Sequence, residues 1–460
     1  MPHLWHETDE GKICRSLPLM KYPSSTTALS LTATLLLAGC GNVSNSTMAG
    51  SPNESSSIEA KQAVSRLIRK RLTSDSAARV AVLNNRKLQA TFENVGIAQA
   101  DLIEAGLLEN PTLFGSARFP SRGGGSNLEA SLSQNFLDIL MMPLRKKMAA
   151  AELERTRNEV ADAAVETAAE TKSAFYTLQA DLQLVSRLNL ITSANRAALD
   201  LSQRLHDAGN ITDLSLLSEQ ATYSEARVEV AKAEADIAAD REKLNRLLGL
   251  WGSDTSWTLA EQLPEIPGSE ISSSRLESLA LNHRSDLAAS RYELASLATA
   301  LHTTRTYRYI GVLKVGADIE KETDGNKLTG PEFTVSLPIF NQGQGMLAKL
   351  EAQQRQAEKR FEGKAIDIRS EVREARGRLL ANRAAALYYR SNLLPERLKI
   401  LNQTQLQYNA MQIGATELLI ARKSQLDTER DYIHSWRDYW ISRSELERAV
   451  GGGDLSPGGK

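Results

Sequence analysis

The chain has 460 residues, 24% of them charged and 5% aromatic, with a formal net charge of −1. That near-neutral balance offers no basic face for nucleic acid, and two cysteines, Cys14 and Cys40, allow neither a disulfide framework nor a thiolate zinc cage. Ala, Leu, Glu, Gln and Arg dominate long tracts, the composition of long helices rather than of an ordinary globular enzyme.

In chain order the first feature is "MKYPSSTTALSLTATLLLAGC" (20–40), with one Lys, an apolar run too short to span as a helix, and Leu37-Ala38-Gly39-Cys40. It resembles a bacterial lipoprotein signal, so residues 1–39 are expected to be removed and the Cys40 thiol acylated, with Met20 a second candidate start. An ordinary cleaved signal is the alternative. Residue 41 is Gly, not the Asp that commonly retains such lipoproteins at the inner membrane. His3 and His6 would leave with the leader. Residues 40–57 are a Ser/Asn/Gly tether, too poor in apolar side chains to fold.

A first unit is expected over 58–250. Helical patterning runs from Ile58 to about Gly106, broken near 73–75, and stops before Pro111. Strands follow at 112–119 and 128–136, joined by "PSRGGGSN"; Leu128, Ala130, Leu132 and Phe136 fall on one face with Gln134, against Glu129, Ser131, Ser133 and Asn135. Helices are then expected over 143–205 and 214–249, separated by "HDAGNITD".

A Trp/Pro/Gly/Ser-rich connector (251–274) precedes a second unit, 275–450, in which the order recurs. It holds a helix to about 306, strands at 310–319 and 332–340, and helices at 344–408 and 417–450, followed by a tail (451–460) expected to be disordered. At an offset of 204, Phe136 answers Phe340 and Asp213-Leu214 answers Glu417-Leu418. This is an internal duplication. Pro338, Phe340, Gly343 and Gly345 mark the passage from strand to helix, where the glycines permit a bend.

The helices carry coiled-coil spacing. Phe175, Leu178, Leu182 and Val185 follow a 3-4-3 pattern, and Leu387, Leu394, Leu401 and Tyr408 recur every seven. On the return helix, Leu214, Leu217, Ala221, Ser224, Val228, Ala231, Ala235 and Ala238 form a seam of mostly small residues. The longest helices would each reach roughly 90 Å. Four strands of about nine residues match the length that crosses a bilayer as tilted β-strands. Four cannot close a barrel alone, since small single-chain barrels start at about eight. Three copies would supply twelve.

With "LTSDSAARVAVLNNRKLQA", "IAQADLIEAGLLENPTL", "LNRLLGL" and "SLPIFNQGQG" in the family's arrangement, the chain resembles the TolC-type outer-membrane efflux proteins over essentially its whole mature length. The resemblance implies a mainly α chain with a small β part. As a homotrimer it would form a twelve-stranded outer-membrane barrel continued by a periplasmic helical tunnel. It also implies docking to a periplasmic adaptor (a membrane fusion protein) and through it to an inner-membrane pump. "FLDIL" at 136–140 departs from the repeat, which reads "FNQGQ" in the second unit. The "FNQGQG" form is similar to the heavy-metal cation branch. His206, His283, His302 and His434 show no ligand spacing, and no metal or cofactor is expected.

No nucleophile elbow, phosphate loop, zinc signature or dinucleotide fingerprint is present, so the expected work is passive conduction. The candidate sites are the two helix-to-helix breaks. Gly209 and Gly414 would let the chain reverse at the periplasmic tip, where the family meets its adaptor, with Asp213 and Glu417 just beyond. Either the two acids cap or charge-complement the next helix, or three copies of each form an acidic ring at a cation-favouring entrance. In the family, acids near this position form the tightest constriction; here the position three after Glu417 is Ile420. The competing reading from another class is a periplasmic coiled-coil adaptor or scaffold lipoprotein whose hairpins never enter a membrane.

Overall fold

The computed structural model describes residues 54–121, 125–270 and 275–452. Cys40, the leader and most of the tether lie outside these residues, as do 453–460 of the tail.

The chain enters through α1 (Glu54–Ile68), α2 (Ser74–Asn84) and α3 (Arg86–Ala105). The break near 73–75 is a capping box: Thr73 Oγ1 accepts from the Ser76 N–H at 3.2 Å, and Ser76 Oγ accepts from the Thr73 N–H at 2.8 Å. A second break, unexpected from the pattern, falls at Asn85. Its Oδ1 accepts from the Leu88 N–H at 3.0 Å, while its Nδ2 donates to the Leu247 carbonyl at 2.9 Å.

Then come β1 (Thr112–Arg118), β2 (Asn127–Asn135), α4 (Phe136–Asp207) and α5 (Asp213–Leu248). Helix α4 starts seven residues before the expected Pro143, directly from the strand. An internal Pro removes one backbone hydrogen bond; an ion pair of Asp138 with Arg145 at 3.0 Å spans the gap. Helix α5 stops at Gly249, whose φ is +65° and where a Cβ would lie 2.3 Å from the Asn84 carbonyl oxygen. Only glycine fits there.

After the connector the second unit holds α6 (Leu276–His283), α7 (Ser285–Tyr307), β3 (Leu313–Lys321), β4 (Lys327–Val335), α8 (Gln344–Tyr388), α9 (Leu394–Asn409) and α10 (Ala415–Ala449). The helix expected to run unbroken to 306 bends at Arg284 (φ −68°, ψ 119°). A π-helical turn, Tyr389–Leu393, joins α8 to α9. Pro395 follows it and has no N–H to continue the i to i−4 ladder, which the wider turn accommodates.

The four strands form one antiparallel sheet, in the order β1-β2-β3-β4. The second hairpin is tighter than expected. Glu322 donates its N–H to the Asn326 carbonyl at 2.9 Å around Gly325 (φ +93°), so β4 starts at Lys327 and not at 332. It ends at Val335, because Pro338 beyond it has no N–H to pair.

Buried side chains concentrate around the middle of α4 and α8 and the C-terminal parts of α5 and α10. One cluster joins Val80 of α2, Leu178 of α4, Leu244 and Leu248 of α5 and Trp257 of the connector. Trp257 Nε1 donates to Asn245 Oδ1 at 2.8 Å, and the Arg241 guanidinium lies 4.2 Å from the Trp257 ring. A second gathers Leu276, Leu287, Ile368, Leu379, Tyr439 and Leu446 from α6, α7, α8 and α10. Trp436 and Trp440 both donate to the Pro264 carbonyl at 2.9 Å, tying α10 to the connector. Helix α9 buries no residue.

Candidate functional site

Cross-strand register sorts the sheet's side chains into two unlike faces. One carries Leu113, Ala117, Leu128, Ala130, Leu132, Val315, Ile319, Phe333 and Val335. Leu113 is 76% exposed and Phe333 67%, so this apolar face is uncovered in the single chain. The other carries Arg118, Asn127, Glu129, Lys314, Asp318, Glu320 and Glu332, with Phe114 and Leu328 as its large apolar side chains. On it Glu129 and Glu320 are direct partners, an arrangement that favours a nearby cation. Asn127 Nδ2 donates to Glu320 Oε1 at 2.6 Å, and Arg118 reaches Glu129 at 4.0 Å. In the sheet order β1 and β4 have no partner on their outer sides.

At the strand-to-helix junction only Gly343 needs to be glycine: its φ is +73°, at the N-cap of α8. Gly345 is already inside the first turn, and a Cβ there meets nothing within 4 Å. Pro338 lies in the irregular stretch, and Phe340 is 92% exposed. Phe136 and Phe340, paired by the offset of 204, therefore differ, since Phe136 opens a helix and Phe340 does not.

The two interhelical turns share one geometry at an offset of 202 rather than 204. Ala208 (φ −84°) and Ala410 (φ −83°) end the outgoing helices. Gly209 (φ +72°) and Met411 (φ +56°) follow in the left-handed region. Gly209 donates to the His206 carbonyl and Asn210 to that of Leu205, both at 2.8 Å; Met411 and Gln412 donate to Tyr408 and Gln407, both at 2.9 Å. These are Schellman closures. Gly414 is extended (φ −85°, ψ 172°) and does not make the reversal, so its expected role passes to Met411.

The acids change place accordingly. Asp213 is the first residue of α5, while Glu417 is the third of α10, matching Ser215. Neither is the cap residue. Thr212 Oγ1 accepts from the Ser215 N–H at 3.3 Å, and Gly414 occupies the other N-cap. Asp213 Oδ1 instead lies 2.6 Å from His206 Nε2, across the first turn. Both carboxylates are exposed within the positive end of a helix.

The small-residue seam of α5 faces outward. Leu214, Leu217 and Val228 are 74%, 59% and 53% exposed. The buried stripe is Leu216, Glu219, Ala226 and Ala233. Glu219 is thus a buried acid that the spacing argument missed; its Oε2 lies 3.9 Å from Arg422 Nη1 of α10. Arg422 Nη2 donates to Gln405 Oε1 of α9 at 3.4 Å, so one guanidinium links the two helical hairpins close to their turns. The clue lay in the 3-7-7 spacing of Leu216, Glu219, Ala226 and Ala233, parallel to the chosen seam. Farther along, half-buried Asp181 of α4 is pushed up to about 7, first by burial and then by its hydrogen bond with Asp240 of α5.

Among the described residues no helix is long and apolar enough to cross a membrane. No protein-family model and no curated protein matches the sequence. Solved structures do match. CusC, a protein studied for transmembrane channel formation, superposes with a TM-score of 0.71 at 16% identity over 85% of this chain and 92% of its own. The Campylobacter jejuni CmeC outer membrane channel gives 0.71 at 14% identity over 96% and 95%. The Vibrio cholerae outer membrane protein VceC gives 0.70 at 16% over 83% and 96%. With its sheet split into unlike faces and its paired helical hairpins, the chain has the TolC-type outer-membrane channel fold.

Proposed function

We propose that three copies of this chain form a passive outer-membrane channel of a tripartite efflux system. The sheet carries the reading: one face is mostly apolar, the other mostly polar, and both edges are open. Lipid tolerates no open edge, and four strands do not close, so a shared twelve-stranded barrel satisfies both constraints. The apolar face then meets lipid and the polar face lines the pore. The exposed seam of α5 would be covered by the neighbouring copy, continuing the barrel as a helical tunnel into the periplasm.

The polar face holds Glu129, Asp318, Glu320 and Glu332 against Arg118 and Lys314, a balance that favours cations. This suits heavy-metal cations as cargo, with small toxic compounds the alternative. Nothing in the proposed role needs a catalytic residue or cofactor. The turns around Gly209 and Met411, with Asp213 and Glu417, would face a periplasmic adaptor and, beyond it, an inner-membrane pump. Acylated Cys40 would add a lipid anchor; Cys40→Ala should abolish acyl labelling and leave assembly intact.

The test is mass and conductance. The mature chain in detergent should run at three times its monomer mass and form conducting pores in planar bilayers. A stable, water-soluble monomer would refute the barrel and promote the coiled-coil adaptor or scaffold.

A further inference from the structure

The apolar sheet face is not uniformly apolar. From Leu113 to Val335 only two of its side chains are charged, Lys321 and Lys327. They are direct cross-strand partners beside the β3–β4 turn, in one row with Ala117 and Leu128. Both are exposed, and among the described residues neither pairs with an acid. Two ammonium groups directly opposite one another repel, and an anion between them would relieve this.

Against this row lies a shallow hollow of about 440 Å³ over Gly115, Ala117, Leu128, Ala130, Ile319 and the two lysines; Ser116 and Glu129, which belong to the sheet's other face, complete its lining. It exists because small residues meet across the strands: Gly115 is the partner of Ala130. A Cβ on Gly115 would meet nothing within 4 Å. An apolar trough ended by two cations has the shape and charge of a site for an amphiphile with an anionic head. In a barrel, this row stands at the membrane–water interface farthest from the helices, where lipid phosphates lie.

We propose that the hollow binds a phosphate-bearing membrane lipid, its acyl chain lying along Gly115, Ala117 and Ala130 and its phosphate held between Lys321 and Lys327. The site rests on the barrel reading and uses one chain's four strands, so no neighbour need complete it.

The experiment is native mass spectrometry of the full chain in detergent, offered phosphatidylglycerol, phosphatidylcholine or inorganic phosphate. Phosphatidylglycerol should be retained roughly tenfold better than phosphatidylcholine, as two lysines near an anionic headgroup would give, and inorganic phosphate should not be retained. Lys321→Gln with Lys327→Gln should erase the preference, and Arg at both positions should keep it. Gly115→Leu, which fills the hollow, should lower retention of both lipids. Equal retention of the two lipids by the parent, or a preference that survives the double Gln variant, would overturn the site. So would retention of inorganic phosphate matching that of the lipid. Flotation of the Cys40→Ala chain, which lacks any acyl anchor, with phosphatidylcholine vesicles separates the two readings: a chain that fails to float refutes the barrel, whereas one that floats without headgroup preference refutes only the lipid site.

Discussion

Gly209 and Met411 occupy the same left-handed corner of the two interhelical turns, with φ of +72° and +56°, and only the first is a glycine. An L side chain in this region costs about 1–2 kcal/mol. The second turn is therefore the more strained, and Met411 is 93% exposed, with nothing packed on it to offset the cost.

Met411→Gly should stabilise the second turn by about 0.5–1 kcal/mol, the relieved strain less the added freedom of glycine in the unfolded chain. Gly209→Ala should destabilise the first by about 1 kcal/mol. Amide exchange over 405–412 and 203–210 reads both changes. Equal responses of opposite sign to those stated would mean that the turns are not strained where their φ values indicate.

Asp181 makes stability depend on pH. Folding raises its carboxyl from 3.8 to about 7, through burial first and then Asp240; Asp236 adds to the shift and Arg437 opposes it. In that interval the folded chain holds a proton that the unfolded chain has released, so stability should fall as pH rises from about 4 to 7. The half-exposed position limits the effect to the order of 1 kcal/mol. Asp181→Asn should flatten the dependence and raise Tm at pH 8 relative to the parent. A Tm difference between pH 5 and pH 8 that matches the parent's would count against it.

The entrance acids can be separated from helix caps because Thr212 and Gly414 hold the cap positions. Asp213→Asn with Glu417→Gln should therefore cost little helix stability, well under the roughly 1 kcal/mol of a lost cap. In planar bilayers the double variant should lower cation selectivity or change closed-state conductance. Conductance identical to the parent's in both respects would place the gate elsewhere.

Arg422 joins α10 to Glu219 of α5 and Gln405 of α9. Arg422→Ala leaves the Glu219 carboxylate buried without its cation and should loosen the tip by about 1–3 kcal/mol, seen as faster exchange in α9 and early α10. Adding Glu219→Gln should recover part of that loss. If the double variant is no better than the single, the pair does not act as a unit.

Much of the site's scaffold was legible locally. Alternation in "LEASLSQNF" marked a strand with two unlike faces, and the turn residues around Gly209 marked a reversal, because period-two patterning and left-handed glycine act over a few residues. The offset of 204 was less reliable. It aligned Glu417 with Asp213 through similar side chains, whereas the backbone aligns Glu417 with Ser215.

By itself the sequence determined the long helices, the four short strands, their order and the duplication, since each follows from side-chain period, Pro and Gly positions and composition. The tertiary structure decided what joins across distance. Both the Leu214 stripe and the Leu216 stripe of α5 satisfy helical spacing, and only packing against α4, with the Glu219–Arg422 ion pair to α10, chose the second for burial. The pairing of β2 with β3 brings Asn135 opposite Lys314, a register that no local signal specifies. That register put Lys321 in one row with Leu128, and Lys327 with both, because strand pairing aligns residues by backbone hydrogen bonds and not by their order in the chain.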